Sequence, residues 1–368
     1  MLSFKNLVED MVAHKLSVHS PETIRDLSFG NQVVIVDGQG GCGKTLFSSV
    51  IAAFDRVELL TYAYELEWIC TLWSLKKIDD DAAVTMARSL MDLQIYNTMM
   101  GREINFRPSD LSSALRNIHP WRYIKRIFMV GDEAVPERIE RQQPILHLTT
   151  HNLLGMGDPV FKALGNRLVF IDVARHPLYM LKQMILNMEN LYPNVRNFTL
   201  HFNYKGQPTP YYALGWEELF IRSNNEEKAI YKMQYLTKAR EAARKSLSEK
   251  YRAQLITIPF ECFVINPWPY MDQMAAVLGS RVTEQTKRML KKQNVPRKAY
   301  AKGVDLKIYR RCGWQPPVSN NENEEFAQRR QLIVGKVSTE ALQAFDQLCI
   351  DYEEKYLGGK KDYPRNSA

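Results

Sequence analysis

Residues 33–45 decide the fold of this chain and read Val-Val-Ile-Val-Asp-Gly-Gln-Gly-Gly-Cys-Gly-Lys-Thr. Gly38, Gly43, Lys44 and Thr45 fit the pattern G-x-x-x-x-G-K-[ST] of a phosphate-binding loop. The apolar residues that open the stretch predict a buried strand, and the run Leu-Phe-Ser-Ser-Val-Ile-Ala-Ala that follows it predicts a helix. This order of strand, loop and helix is the setting in which the pattern forms a phosphate cradle.

The residue types of the loop suit a phosphate or sulfate group. Glycines allow a tight turn whose backbone N–H groups point inward, and the start of the following helix adds the positive end of its dipole. Lys44 would place a charge at the bridging or terminal phosphate, and Thr45 would offer a hydroxyl to a phosphate oxygen or a magnesium ion. The predicted loop residues are Gly38, Gly40, Gly41, Cys42, Gly43, Lys44 and Thr45.

Length and composition are those of a globular protein. With 368 residues and 45% hydrophobic content, the chain can form one large α/β domain or two smaller ones. No apolar run approaches 18 residues, so no membrane span is expected, and Glu9 and Asp10 lie where a signal peptide would be apolar. The five scattered cysteines show no metal-ligand spacing and indicate a reducing compartment, with the cytoplasm as the default.

The positive charge of the chain is partly local. The formal net charge is +8, which suits an anionic ligand without identifying one. Eleven lysines and arginines lie between Arg281 and Arg311, against only Glu284 and Asp305. This run is consistent with a solvated basic face or with an RNA-binding strip, but it lacks regular aromatic interleaving and a nucleic-acid motif. Nucleic acid is therefore not the expected partner.

Alternating strand and helix patterns along the chain predict a doubly wound, parallel α/β sheet of the P-loop NTPase type, flanked by helices. Strands are predicted at residues 33–36, 57–61, 127–130, 145–149, 168–173 and 255–258, and helices at 64–100, 226–251 and after Ser338. The expected organisation is a helical lead-in over residues 1–30, one domain over 31–357, an exposed loop at 313–327 and a flexible tail over 358–368.

Two further blocks of sequence carry a family resemblance. Residues 144–184 contain Pro-Ile-Leu-His-Leu-Thr-Thr-His-Asn-Leu-Leu and then Arg-Leu-Val-Phe-Ile-Asp-Val-Ala-Arg-His-Pro-Leu-Tyr-Met-Leu, and residues 258–267 read Ile-Pro-Phe-Glu-Cys-Phe-Val-Ile-Asn-Pro. The chain here resembles the sulfotransferase family, whose strands end in Lys-Thr-His and in Val-Ala-Arg-Asn-Pro or Arg-His-Pro, followed later by a Tyr-Glu-Asp-Leu segment. The blocks keep the family's order across residues 33–357.

The resemblance implies a P-loop enzyme that transfers the sulfuryl group of 3′-phosphoadenosine 5′-phosphosulfate to an acceptor hydroxyl without a metal. The loop would hold the 5′-phosphosulfate, and Lys44 would stabilise charge on the leaving oxygen. Arg175 would bind the 3′-phosphate, with Gln183 at the position of the family's serine. His151 would act as the general base. The acceptor would be a small molecule or carbohydrate, with its pocket sought in residues 187–225; the oligomeric state is not readable from the sequence.

Several positions depart from the family pattern. Gly41 occupies the place of the family's loop lysine, while Lys44 lies where nucleotide kinases and NTPases have theirs. Thr149 replaces the lysine of Lys-Thr-His, Gln183 replaces a serine, and residues 310–314 echo the late Arg-Lys-Gly motif only loosely.

These departures leave two alternatives open. One is an ATP- or GTP-dependent kinase or NTPase, in which Thr45 and Asp132 would hold magnesium and Lys44 would contact the β- and γ-phosphates. The other is a nucleotide-binding protein without catalysis.

Overall fold

The computed structural model of the protein describes residues 21–247, 249–317, 319, 321–361 and 363. Its strands are β1 (Val33–Asp37), β2 (Thr61–Tyr62), β3 (Leu146–Thr149), β4 (Leu168–Ala174), β5 (His201–Tyr204), β6 (Gln207–Pro210) and β7 (Leu255–Pro259). Five of them form a sheet in the order β2-β3-β1-β4-β7, and every pair in it is parallel. Strands β5 and β6 form a separate antiparallel hairpin.

Strand β1 lies at the centre of the large sheet. Val33 is level with Leu146 of β3 on one side and with Leu168 of β4 on the other. The chain leaves β1 towards β2 on one side of the sheet and leaves β4 towards β7 on the other. Such a reversal between neighbouring strands opens a crevice beyond their carboxyl ends, where ligands bind in α/β proteins. Every residue of β1 and β4 is buried, as expected for parallel strands covered on both faces.

Helices cover both faces of the sheet. They are α1 (Lys44–Ile51), α2 (Tyr64–Ser74), α3 (Asp80–Met100), α4 (Pro120–Ile127), α5 (Ala134–Gln142), α6 (Asp158–Leu164), α7 (Pro177–Leu186), α8 (Glu217–Arg222), α9 (Asn225–Ser246), α10 (Glu249–Arg252), α11 (Phe260–Ile265), α12 (Trp268–Val277), α13 (Glu284–Lys292), α14 (Lys307–Arg311), α15 (Glu322–Arg330) and α16 (Thr339–Tyr356). The alternate side chains of β1 separate two cores. Val34 and Val36 pack with α1, α7, α9 and α16, whereas Val33 and Ile35 pack with α2, α3 and α6.

The predicted fold class is confirmed: the sheet is parallel and doubly wound, with the strand order of a P-loop protein. The strands predicted at 33–36, 145–149, 168–173 and 255–258 are present. The strand predicted at 57–61 is reduced to Thr61–Tyr62 and a bridge between Val57 and Ile145.

The strand predicted at residues 127–130 is wrong. Helix α4 ends at Ile127, and the apolar residues after it lie at the surface, with Phe128 84% and Val130 77% exposed. The sequence pattern is that of a buried strand, but no strand among the described residues pairs with this segment. A local apolar run does not encode its own burial.

Three other boundaries differ from the sequence predictions. The helix predicted over 64–100 is divided, because α2 ends at Ser74 and α3 begins at Asp80 after a left-handed residue, Lys76. The helix predicted over 226–251 ends at Ser246. The exposed loop predicted at 313–327 contains the start of α15, whose N-cap residue Asn321 accepts a hydrogen bond from the Asn323 backbone.

The structure differs from the predicted helical lead-in and flexible tail in the parts of these segments that it describes. Residues 1–20 lie outside the described residues, and residues 21–30 contain no helix. Within the predicted flexible tail, Tyr363 is buried in the core and donates its hydroxyl to Glu353 at 3.0 Å, so this part is anchored. None of the helices described has the combination of length and apolar character that a membrane crossing requires.

Candidate functional site

The loop after β1 has the backbone of a phosphate cradle. Gly43 adopts a left-handed conformation, φ 96°, directly before α1, and a Cβ atom there would lie 2.3 Å from the Phe260 ring. A Cβ at Gly38 would lie 2.6 Å from the carbonyl oxygen of Val173. Glycine is thus required at both positions by the close approach of neighbouring strands and rings.

Lys44 is buried within this cradle. Its ammonium group donates hydrogen bonds to the backbone carbonyls of Gly38 and Gln39, the latter at 3.2 Å. The lysine is 7% exposed and lines the cavity above the loop. Its charge therefore lies beside the backbone N–H groups that begin α1, where an anion is most strongly stabilised.

A cavity of about 660 Å³ opens beyond the carboxyl ends of the strands. Among the described residues that line it, Glu67 supplies the one carboxylate, whereas the cationic side chains are Lys44, Arg175, Lys182, Arg196, Lys232, Arg297, Arg311 and Arg329. The predicted residues 40–45, His151, Arg175 and Gln183 also line it. This excess of positive charge in a concave site favours an anionic ligand.

Two arginines lie beside the loop, Arg175 with 16% of its side chain exposed and Arg297 buried. Arg175 follows β4 directly and donates Nη1 to the Gly41 carbonyl at 2.7 Å. Its guanidinium carbon lies 4.3 Å from the centre of the Phe260 ring, and the guanidinium carbon of Arg297 lies 5.5 Å from the same ring. Glu261 Oε1 is 3.8 Å from Arg175 Nε, which has no hydrogen-bond partner among the described residues. The pair concentrates positive charge next to the phosphate loop.

Arg297 was not identified from the sequence. It is buried, and burial together with the nearby Arg175 charge lowers its pKa to about 10. Its guanidinium donates to the backbone carbonyls of Asn294 and Tyr300, both at 3.1 Å, rather than to a carboxylate. The only sequence signal was its place in the basic run, where ten other cations gave no reason to choose it.

The rest of that basic run divides between the surface and the cavity. The cavity is lined by four of the five residues that loosely resemble the family's late Arg-Lys-Gly motif, namely Arg311, Cys312, Gly313 and Trp314. Arg310 instead is exposed and pairs with Asp305.

Gln183 on α7 lies next to Gly41, the loop residue whose carbonyl accepts from Arg175. A Cβ at Gly41 would lie 3.3 Å from Gln183 Oε1, and Gly41 has φ 82°. Gln183 lies two helical turns beyond Arg175, and its amide can donate to an oxyanion. Its role as a phosphate contact stays a prediction.

The turn after β3 places His151 on the cavity wall. Asp37, at the end of β1, accepts the Thr150 hydroxyl at 2.8 Å and the backbone N–H groups of Leu153 and Leu154 at 2.9 and 3.1 Å. Buried Asp37 thereby fixes the turn that carries His151.

His151 is held by Glu67 of α2. One carboxylate oxygen, Glu67 Oε1, accepts the His151 backbone N–H at 2.8 Å and lies 3.1 Å from its Nδ1. The Tyr64 ring stacks on the imidazole, with ring centres 6.1 Å apart. Glu67 was missed because it lies 84 residues away in sequence, on a helix that showed no functional motif.

Aromatic residues form the part of the cavity next to His151, which we call the acceptor half. It comprises the exposed face of α2 at Tyr64 and Trp68, His151, and cavity-lining residues between 187 and 212. The Trp68 indole donates to the Phe198 carbonyl at 2.9 Å, which joins that segment to α2. The segment in which the sequence placed the acceptor pocket thus forms part of this wall.

Thr149 does not take the place of a cavity lysine. It is buried, and its hydroxyl lies 2.7 Å from the Ser48 hydroxyl of α1. Thr149 therefore links β3 to α1 through this contact and brings no charge to the cavity. A charge at the position of the Lys-Thr-His lysine would have to come from another element.

Asp132, the magnesium ligand of the NTPase alternative, lies elsewhere. It is absent from the cavity wall as the structure describes it, has a left-handed φ of 47°, and accepts the Tyr96 hydroxyl. The structure therefore does not bring Asp132 to Thr45, and this assignment is wrong.

Comparison with known proteins gives matches in structure alone. No protein-family model matches the sequence, and no curated protein matches it significantly. The sulfotransferase domain from the Synechococcus PCC 7002 olefin synthase is similar with a TM-score of 0.43 and 11% identity, covering 94% of this chain and 100% of that domain. The sulfotransferase domain from the curacin biosynthetic pathway has a TM-score of 0.43 and 10% identity, covering 87% and 98%.

Mouse sulfotransferase SULT7A1, solved in complex with PAP, is also similar, with a TM-score of 0.35 and 10% identity over 92% of this chain and 88% of that one. The solved structures thus carry the name of the family that the sequence resembles. At these scores and identities the likeness carries no argument about activity, which depends on the residues of the cavity.

Proposed function

We propose that this protein is a sulfotransferase-like enzyme that transfers a sulfuryl group from 3′-phosphoadenosine 5′-phosphosulfate to an acceptor hydroxyl. The observation that carries the proposal is the Arg175–Arg297 pair on the Phe260 ring, directly beside the phosphate loop. The phosphate loop and the adjoining arginine pair give one cavity two cationic features, which suits a ligand with phosphate groups at two positions.

The residues present fit such a donor. The loop and Lys44 would hold the 5′-phosphosulfate, since the glycine backbone leaves its N–H groups free to face an anion. Arg175 and Gln183 would hold the 3′-phosphate, with Arg297 adding charge. Arg175 donates Nη1 to the Gly41 carbonyl, and its side chain is 16% exposed and lines the cavity, so the guanidinium can also face a ligand oxygen.

The donor supplies the sulfuryl group, and the protein supplies the proton acceptor. Glu67 Oε1 accepts from His151 Nδ1, which leaves His151 Nε2 as the basic nitrogen for the acceptor hydroxyl. Lys44 and the loop amides would stabilise negative charge on the leaving oxygen. The phosphate loop and His151, the proposed base, line the same cavity.

The cavity offers less to a magnesium nucleoside triphosphate. Glu67 is the only carboxylate on its wall among the described residues, and it is engaged by His151. Mg²⁺ in phosphoryl-transfer sites is held through carboxylates together with the phosphates. A nucleotide-binding protein without catalysis would have no need for the Glu67–His151 pair.

A thermal-shift comparison tests the proposal. Adenosine 3′,5′-bisphosphate without metal should raise the Tm of the full chain more than ATP with magnesium, because only the former can contact both anion sites. Stabilisation by ATP with magnesium alone would favour the NTPase instead, and no response to either nucleotide would refute donor binding.

We propose a broad class of acceptor, a cellular location and a domain organisation. The aromatic acceptor half suits a small molecule or the terminal unit of a carbohydrate. The scattered cysteines of the chain, among them the buried thiols Cys42 and Cys70, fit a cytoplasmic setting. We also propose that residues 31–357 act as one domain.

A further inference from the structure

Lys232 is a buried lysine that the proposed donor site does not use. It lies on α9 and is 4% exposed. Among the described residues only Lys44 and Lys232 are buried lysines, and both line the cavity. Lys44 belongs to the phosphate loop, so the second lysine needs an explanation of its own.

Aromatic rings rather than carboxylates surround the Lys232 ammonium. Its Nζ lies 4.5 Å from the centre of the Tyr192 ring and 4.3 Å from that of the Tyr212 ring, and it contacts the Tyr192 hydroxyl. No ion pair between Lys232 and a carboxylate occurs in the part of the chain that the structure describes. Burial raises the pKa of Tyr212, so this phenol stays neutral and supplies no opposing charge.

The ammonium keeps donors for a ligand. A lysine ammonium has three N–H donors and no acceptor, and the Tyr192 hydroxyl engages one of them. Aromatic faces attract the charge but do not neutralise it. A buried cation on a cavity wall is best compensated by an anion that enters the cavity.

The position of Lys232 assigns that anion to the acceptor half. Tyr192 and Tyr212 belong to the segment between residues 187 and 212 that forms this wall. The Tyr211 and Tyr212 rings lie 5.5 Å apart, and Tyr211 lines the same cavity. The helix itself is fixed to the loop, because Gln39 Nε2 donates to Thr237 Oγ1 at 2.9 Å.

We propose that Lys232, held between Tyr192 and Tyr212, binds an anionic group of the acceptor, so that the acceptor is an acidic molecule bearing a carboxylate, sulfate or phosphate. That the bound molecule is the acceptor rests on the proposed function, whereas the anion site itself can be tested by binding alone.

The test uses matched acids and amides without nucleotide. A panel of hydroxyaryl acids of different chain length, including 4-hydroxyphenylacetate, is titrated by calorimetry against the corresponding amides. The wild-type protein should bind at least one acid about 10-fold or more tightly than its amide, the gain expected for a charged hydrogen bond. Lys232→Met should abolish the preference, whereas Lys238→Met, which removes an exposed lysine of the same helix outside the described cavity lining, should keep it.

Further measurements identify whether the anion belongs to the acceptor or to the donor, and they exclude misfolding of the variant. Lys232→Arg keeps the charge and should keep the preference, which separates loss of charge from loss of structure. Adenosine 3′,5′-bisphosphate should bind wild type and Lys232→Met equally. Equal loss of both ligands would assign the anion to the donor and overturn the inference.

Two other results would also overturn it: a wild-type protein that prefers no acid in the panel over its amide, and a Lys232→Met variant that retains the preference. Failure of the bisphosphate to bind wild type would instead refute the proposed function, so the two failures are distinguishable.

Discussion

Glu67 holds His151 twice through a single carboxylate oxygen, which accepts the backbone N–H at 2.8 Å and lies 3.1 Å from Nδ1 of the ring. The Glu67 side chain is 15% exposed and that of His151 is 38% exposed, so the pair is partly shielded yet open to the cavity. A carboxylate on Nδ1 selects the tautomer whose Nε2 is basic. Glu67 is thus a positioning residue for the proposed base.

Glu67→Gln should lower kcat by about 10- to 100-fold, taking the range known for carboxylates that orient metal-bound histidines. Its amide can present an N–H to Nδ1 and so favour the wrong tautomer. His151→Asn should lower kcat further, by about 10²- to 10⁴-fold. Both are measured as release of adenosine 3′,5′-bisphosphate from the donor in the presence of a phenol.

The matched control is Asp132→Asn, which changes the carboxylate that the magnesium alternative requires. This variant should retain wild-type turnover and bisphosphate affinity. A purely structural role for Glu67 would lower stability and affinity for the bisphosphate along with kcat, whereas a positioning role changes kcat and its pH profile alone.

Arg175→Ala should weaken adenosine 3′,5′-bisphosphate by about 10- to 100-fold, as expected for loss of charge-assisted hydrogen bonds. Adenosine 5′-monophosphate, which lacks the 3′-phosphate, should lose much less. Arg297→Met should act in the same direction, because its guanidinium shares the Phe260 ring. Calorimetric titration with both nucleotides measures the difference.

Arg310→Ala is the control for this pair, since Arg310 is an exposed member of the same basic run that pairs with Asp305. It should leave both affinities unchanged. Equal losses for the two nucleotides in Arg175→Ala would contradict the 3′-phosphate assignment and indicate a contact to the loop alone.

The sequence was sufficient for those parts of the site that follow strand ends. The loop after β1, His151 after β3 and Arg175 after β4 all lie at the carboxyl edge of one parallel sheet, so predicting the strands also predicted that they meet. Glu67, Lys232 and Arg297 come from helices or loops whose approach to the cavity depends on tertiary packing. No local pattern distinguishes them from surface charges.

The dependence on tertiary packing also explains why the strand predicted at 127–130 and the magnesium ligand predicted at Asp132 are wrong. Residues 127–130 are apolar enough for a strand, and Asp132 follows them as an acid follows a strand in NTPases. In the structure the run is exposed, and Asp132 binds Tyr96 away from the loop. Burial of a segment depends on what covers it, which local periodicity does not report.

Gly43→Ala should destabilise the protein and abolish bisphosphate binding. Its φ of 96° costs about 1 kcal/mol or more for a residue with a side chain, and the new Cβ would lie 2.3 Å from the Phe260 ring. Phe260 cannot move freely, because Arg175 and Arg297 pack on it. Urea denaturation gives the loss of stability, and nucleotide titration gives the loss of binding.

Gly30→Ala is the matched control, because no atom of the described residues lies within 4 Å of the position its Cβ would take. It should be neutral within about 0.5 kcal/mol. Wild-type bisphosphate affinity in Gly43→Ala would show that the loop does not need its observed backbone to bind phosphate.

His147 should make the stability of the fold depend on pH. The residue lies in β3 with no exposed surface, and burial lowers its pKa from 6.5 to about 3. Between these values the unfolded chain binds a proton that the folded chain does not bind, so the free energy of unfolding decreases as pH falls from 6.5 towards 3. The slope due to this residue is at most about 1.4 kcal/mol per pH unit.

His147→Leu should reduce that slope by the same amount, measured by urea denaturation at several pH values between 4.5 and 7.5. Ile145→Val, next to β3, provides the control, since it lowers stability through packing by about 0.5–1.5 kcal/mol at every pH without removing a titrating group. An unchanged slope in His147→Leu would mean that His147 is protonated in the folded protein, because only a histidine that keeps its proton on folding contributes no pH dependence.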